Sequence, residues 1–122
     1  MIFVTGPQYA GKENYIRQAL GLSEEAFGLC AVRDAQELSY GRAPFELEEL
    51  ADELAEKEIV IASETGCGVV PADEDGRARR EAAGRLSCLL AERADVVLRV
   101  CCGLPEVLKG EWSCASGSSV TD

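Results

Sequence analysis

The sequence contains no histidine, and that absence excludes more than any other feature of its composition. Imidazole is the side chain that changes charge near neutral pH. Without it, His-based general acid or base work, His metal ligation and phospho-His or nucleotidyl-His intermediates are all closed to this chain. Aromatic residues are scarce at 6% of the 122 residues, and much of the 47% hydrophobic fraction is alanine, so the core is expected to be aliphatic and modest. Positive charge is also short: 12 Lys and Arg stand against 22 Asp and Glu, for a net charge of -10. Such a surface repels a phosphodiester backbone, and no nucleic acid is expected as a partner. No apolar run approaches the ~20 residues of a membrane helix, and the opening residues 1–6 carry no basic leader. A cytoplasmic, soluble protein with no membrane partner is expected. The six cysteines show neither a Cys-x-x-Cys pair nor zinc-ligand spacing, which points to reduced thiols and to no metal site.

What is present is a regular alternation of patterns. Residues 2–5 are a short β-branched and aromatic run ending at Gly6, and a helical pattern (Tyr15, Ile16, Ala19, Leu20) follows Gly11 and stops at Gly21. Residues 27–32 form a second apolar run that reaches Arg33 and Asp34. Residues 35–44 then lose any period and read as a surface loop. Over 45–58, Leu47, Leu50, Ala51, Leu54 and Ala55 share one helical face and the opposite face is acidic, most simply a solubility surface. Residues 59–62 are a continuous apolar run suited to a strand covered on both faces. Asp73, Glu74 and Asp75 open a long helix carrying Ala78, Ala82, Leu86 and Leu90, which ends near Arg93 and Ala94. Residues 96–102 read as the last strand, 103–109 close the fold, and 110–122 are a flexible tail. The expected fold is α/β, one domain over residues 1–109 with an open, mostly parallel sheet between helical layers.

The first strand and helix are joined by Gly6, Pro7, Gln8, Tyr9, Ala10, Gly11, Lys12 and Glu13, which fit the phosphate-cradling pattern G-x-x-x-x-G-K-[ST] everywhere but its last position. In such a loop the backbone N–H groups turn inward, the helix N-terminus adds about half a positive charge, and Lys12 supplies a mobile ammonium. These residues are therefore the candidate nucleotide site, with Lys12 the catalytic candidate. Glu13 replaces the hydroxyl that would ligate Mg2+, and pointing inward it repels phosphates by roughly 1 to 4 kcal/mol. The loop either still cradles a nucleotide or survives as a strand-to-helix turn.

A second Gly-rich segment carries a resemblance. Glu64, Gly66, Gly68, Val70 and Pro71, then Arg80, Ala83, Gly84 and Arg85, then Gly103 and Lys109, match the spacing of N-E-V-G-x-G-I-V-P, R-D-x-A-G-R-x-N-Q and a terminal G-x-x-x-x-x-K. In these segments the chain resembles the adenosylcobinamide kinase / adenosylcobinamide-phosphate guanylyltransferase family of cobalamin nucleotide-loop assembly. The resemblance implies a P-loop NTPase-like fold, a dimer or trimer, ATP or GTP with Mg2+, a corrinoid substrate, and phosphate contacts from Arg80 and Arg85. It also implies losses. Family members are longer, and the missing stretch falls between Asp34 and Pro44, where the family carries its guanylyl-accepting His, a substrate-contacting segment and a strand with a second acid. Guanylyl transfer is therefore expected to be absent.

Individual residues keep two readings. Glu64, at the C-terminal end of a buried strand, either assists a metal or nucleophile or is a loop carboxylate. Arg79, Arg80 and Arg85 either contact phosphate or pair with Asp73, Glu74, Asp75 and Glu81 on a solvated face. Cys101 and Cys102 alternate sides of a strand, so one is expected to be buried. The function is a nucleotide-dependent kinase with Lys12 and Glu64 at its centre, a non-catalytic remnant binding a nucleotide, corrinoid or partner, or a fold with no small-molecule ligand.

Overall fold

A computed structural model describes residues 1–64 and 74–112. Its strands are β1 (Ile2–Gly6), β2 (Ala31–Val32), β3 (Ile59–Ser63), β4 (Val96–Cys101) and β5 (Leu104–Lys109), in the sheet order β2-β3-β1-β4-β5. β1 lies between β3 and β4 and is parallel to both, β2 is parallel to β3, and β5 runs antiparallel to β4. The helices are α1 (Lys12–Leu20), α2 (Glu24–Cys30), α3 (Pro44–Leu54) and α4 (Glu74–Arg93). This is the α/β, mostly parallel architecture that the alternation of patterns implies.

Period-two alternation divides the sheet residues between two cores. Phe3, Val60, Ala62 and Val97 face α3 and α4 and pack with Leu47, Leu50, Leu54, Leu86 and Leu90. Val4, Ile59, Ile61, Leu98 and Val100 face the other way and pack with Ile16 of α1 and Phe27 of α2. All five residues of β3 are buried, which is why its sequence shows no polar alternation until Ser63. Truncating a leucine such as Leu86 or Leu90, both essentially inaccessible to solvent, costs about 2–5 kcal/mol.

The structure corrects the sequence reading in five places. The second apolar run is mostly helix: Phe27 and Cys30 belong to α2, whose first turn is capped by Ser23 accepting from Ala26 N at 3.2 Å, and the strand is only Ala31–Val32. Residues 35–44 are not all surface loop. A 3-10 helix, Ala35–Ser39, buries Ala35, Gln36 and Ser39, and the Gln36 side chain accepts from Ser63 N at 2.9 Å. The acidic helix ends at Leu54 rather than 58. The last strand is β5 rather than β4. Cys102 (φ 55) and Gly103 (φ 74) form the two-residue hairpin between them, the left-handed pair a type I′ turn requires. Cys101 ends β4 and Cys102 sits in the turn rather than on the strand, and both are exposed instead of one being buried.

Lys109 then closes α4, its Nζ donating to the carbonyls of Ala91 (3.0 Å) and Glu92 (2.9 Å). Trp112 turns back onto α1 and donates to the Tyr15 hydroxyl at 2.8 Å, so the chain is held through that residue. The rest of the expected tail, and Gly66, Gly68, Val70, Pro71 and Asp73, lie outside the described residues. Among the described residues, no helix is long and apolar enough to cross a membrane.

Candidate functional site

The parallel strands β1, β2 and β3 end at one edge of the sheet, where open α/β sheets place their ligands. β1 leaves the sheet at Gly6 with φ 149, and a Cβ there would collide with the Val100 carbonyl oxygen, so the exit needs glycine. Tyr9 takes a left-handed conformation (φ 60) and is almost fully exposed. Gly11 (φ 84) is the N-cap of α1. The β4–β5 hairpin supports this loop from behind, with Gly103 N donating to Ala10 O at 2.8 Å. Lys12, in the first turn of α1, is 7% exposed and its Nζ donates to Pro7 O at 2.7 Å. Burial lowers its pKa from the ordinary lysine range, and the charges of Asp34 and Glu64 oppose that shift. The two acids therefore flank the ammonium from different strand ends.

Glu13 does not turn into the cradle. Its Oε1 accepts from Arg33 Nε at 2.6 Å and its Oε2 from Arg33 Nη2 at 3.0 Å, a bidentate pair, with Arg17 at 4.0 Å. The Arg33 guanidinium lies 4.9 Å from the centroid of the buried Phe27 ring. The Arg33 hydrogen bond, with lesser Coulombic help from Arg33 and Arg17, holds the Glu13 carboxyl below its usual range. The same bond raises Arg33. The repulsion expected from an inward-facing Glu13 is thus largely neutralised. A cleft of about 480 Å³ opens beside the loop, lined by residues 8–14 together with Arg33, Asp34, Glu37, Ile61 and Ser63.

Glu64 belongs to the same edge of the sheet. Its backbone N donates to Gly6 O at 2.8 Å, and its carboxylate is held by Arg99 of β4, Nε to Oε2 at 2.7 Å and Nη2 to Oε1 at 3.0 Å. A second cavity, about 400 Å³, lies between the sheet and α4 and is lined by Thr5, Ser63, Glu64, Arg80 and Ser87 among others.

The candidate residues therefore separate. Gly6 to Glu13 and Glu64 gather at the strand ends, and Arg80 reaches the second cavity beside Glu64. Arg85 stands apart, on a groove with Pro44 and Leu47, paired with Glu81 at 3.4 Å. Arg79 stacks 5.5 Å from the Tyr40 ring. Sequence reasoning missed Arg33 and Asp34, which end β2 over the cleft, and Arg99, which holds Glu64. The available signal was Arg33 and Asp34 closing an apolar run, the position from which a parallel strand delivers charge to a site. Asp34 puts an acid beside Lys12, next to the stretch from which the resemblance implies that a second acid is lost.

Mg2+, which the resemblance implies, does not find its ligands at Glu13 or Glu64, and Asp34 is the remaining carboxylate beside Lys12. Glu13 stands where its hydroxyl ligand would be, and both Glu13 oxygens accept from Arg33, as both Glu64 oxygens do from Arg99.

Sequence comparison places this geometry. The model of the CobU family, described as cobinamide kinase / cobinamide phosphate guanyltransferase, matches residues 29–108. The chain belongs to this family. It is also 43% identical over 63 residues to the bifunctional adenosylcobalamin biosynthesis protein CobP of Pseudomonas aeruginosa, a stretch covering 52% of this chain. The match spans only 36% of that protein's length. The family match begins after α1 and includes Arg33, Asp34, Glu64, Arg80, Arg85 and Arg99, so the loop of residues 6–13 stands on its own geometry.

Proposed function

We propose that this member of the cobinamide kinase / guanyltransferase family binds the phosphates of ATP or GTP in the loop of residues 6–13 and serves the kinase step on a cobinamide in cobalamin biosynthesis, with guanylyl transfer lost. The observation that carries the reading is the placement of Glu13. Held by Arg33 at the rim, it leaves the cradle unplugged, with Lys12 against it at the N-terminus of α1. In this reading the backbone N–H groups and Lys12 hold the terminal phosphates, and Lys12 stabilises the charge of the transferred phosphoryl group. Glu64 is fixed by Arg99 at the mouth of the second cavity, where it orients an acceptor hydroxyl toward the loop. Guanylyl transfer through a phosphoramidate needs an imidazole, which the chain lacks. A cytoplasmic dimer or trimer belongs to the same proposal.

A second reading, a non-catalytic protein that binds nucleotide, corrinoid or a partner, is favoured by the ion pair that occupies both oxygens of Glu64. Incubation with γ-labelled ATP or GTP and adenosylcobinamide separates the two. Labelled cobinamide phosphate supports the kinase, and nucleotide binding without product supports the second reading. With α-labelled GTP and adenosylcobinamide phosphate, neither protein-bound GMP nor GDP-cobinamide is expected, and either would contradict the loss of guanylyl transfer.

A further inference from the structure

Glu13 occupies the position from which a phosphate loop offers a hydroxyl to a divalent cation, and it brings a cation of its own. Arg33 crosses from the end of β2 to meet it through two hydrogen bonds of 2.6 and 3.0 Å. We propose that Arg33 takes the place of the metal, so that the loop binds the diphosphate of a nucleotide in its metal-free form. The inference rests on the loop being the nucleotide site and specifies which form of the nucleotide that site accepts.

Three observations converge on it. Arg33 lines the same cleft as the loop and Lys12, so its guanidinium and the ammonium flank one space. A guanidinium has five N–H donors in a fixed fork; two are spent on Glu13 and three remain for phosphate oxygens. The buried Phe27 ring under the guanidinium limits where it can swing, so its charge stays beside the cradle. Meanwhile two of the carboxylates around the loop are engaged, Glu13 by Arg33 and Glu64 by Arg99. Asp34 and Glu37 also face the cleft, but both are exposed, and solvent screening limits their opposition to a bound anion.

The experiment is calorimetric titration of the full chain with ADP and with GDP, once in excess Mg2+ and once in EDTA. Affinity in EDTA is expected to equal or exceed that in Mg2+. In Glu13→Ser/Arg33→Gln, which restores the hydroxyl and removes the guanidinium, binding in EDTA is expected to fall about tenfold or more and to recover on adding Mg2+. Wild-type binding more than threefold tighter in Mg2+ than in EDTA overturns the inference and leaves the nucleotide site standing. No binding in either buffer overturns the nucleotide site itself. The wild-type comparison needs no variant and holds even if the double mutant does not fold.

Discussion

Two carboxylate–guanidinium pairs flank Lys12 and show nearly the same geometry, yet they hold different things together. Glu13 and Arg33 meet at 2.6 and 3.0 Å, Glu64 and Arg99 at 2.7 and 3.0 Å. The first pair joins the opening turn of α1 to the end of β2 across a cleft, with side chains 36% and 41% exposed. The second crosses β1 from the end of β3 to β4, with side chains 25% and 33% exposed, and braces strands whose register the sheet ladder already fixes. Exposed ion pairs contribute little to stability, on the order of 0–1 kcal/mol. The more exposed pair is therefore better placed to meet a ligand and the less exposed one to hold the sheet edge, although their bond lengths alone would not distinguish them.

The largest expected effect comes from the point between the two pairs. Gly6→Ala sets a Cβ against the Val100 carbonyl in a backbone conformation that L residues rarely adopt, which should cost about 3 kcal/mol or more and lower Tm by roughly 10 °C. A wild-type Tm for this variant in thermal denaturation would mean that the loop does not leave β1 in this geometry, and the comparison would lose its frame. Smaller and more discriminating is the contrast between Glu64→Gln and Glu13→Gln. The first should lower Tm by a few degrees. The second should move Tm by less than about 2 °C while changing nucleotide affinity. The reverse ranking would exchange the roles assigned to the two pairs.

The smallest effect is the pH dependence. Glu13 titrates below 4.5 in the folded chain because of Arg33, and Asp95 titrates below 3.8 because the N-terminal ammonium donates to it at 2.7 Å. A depressed carboxylate contributes stability that is complete above its unfolded value and lost as pH falls through its folded one. Tm should therefore change by less than about 5 °C between pH 6 and 8, where no histidine titrates, and should fall below about pH 4.5. Glu13→Gln should make the acid limb shallower. An unchanged limb would mean that Arg33 does not hold Glu13 in solution. Lys12 gives the same slope at the alkaline end, where it subtracts stability at neutral pH. Burial lowers its value from 10.5, so any stability it withholds returns as pH rises through that lowered value.

The parts of the fold that could be read in the sequence are those governed by local rules. β1, β3 and α4 announce themselves through β-branched runs and period, and the loop through Gly6, Gly11 and Lys12. The parts that could not be read depend on tertiary neighbours. Gln36 is buried because its side chain satisfies Ser63 N, a partner 27 residues away, so an aperiodic stretch proves to be fixed structure. β5 escapes detection because all six of its residues are exposed, which removes the alternation that marks a strand. At the site, Glu13 was visible as a departure from a motif, but the sign of its effect depended on Arg33, twenty residues on. Glu64 was visible as a strand-end acid, and its engagement by Arg99 was not, because no spacing rule links β3 to β4.

Calorimetric titration of the wild-type chain and of Lys12→Ala with ATP and GTP tests the nucleotide site most directly, in Mg2+ and in EDTA, with circular dichroism to confirm that both are folded. The site described here predicts saturable binding by the wild type and at least a tenfold loss, about 1.4 kcal/mol, in Lys12→Ala. Equal binding by the two proteins, or none by the wild type in either buffer, would contradict it.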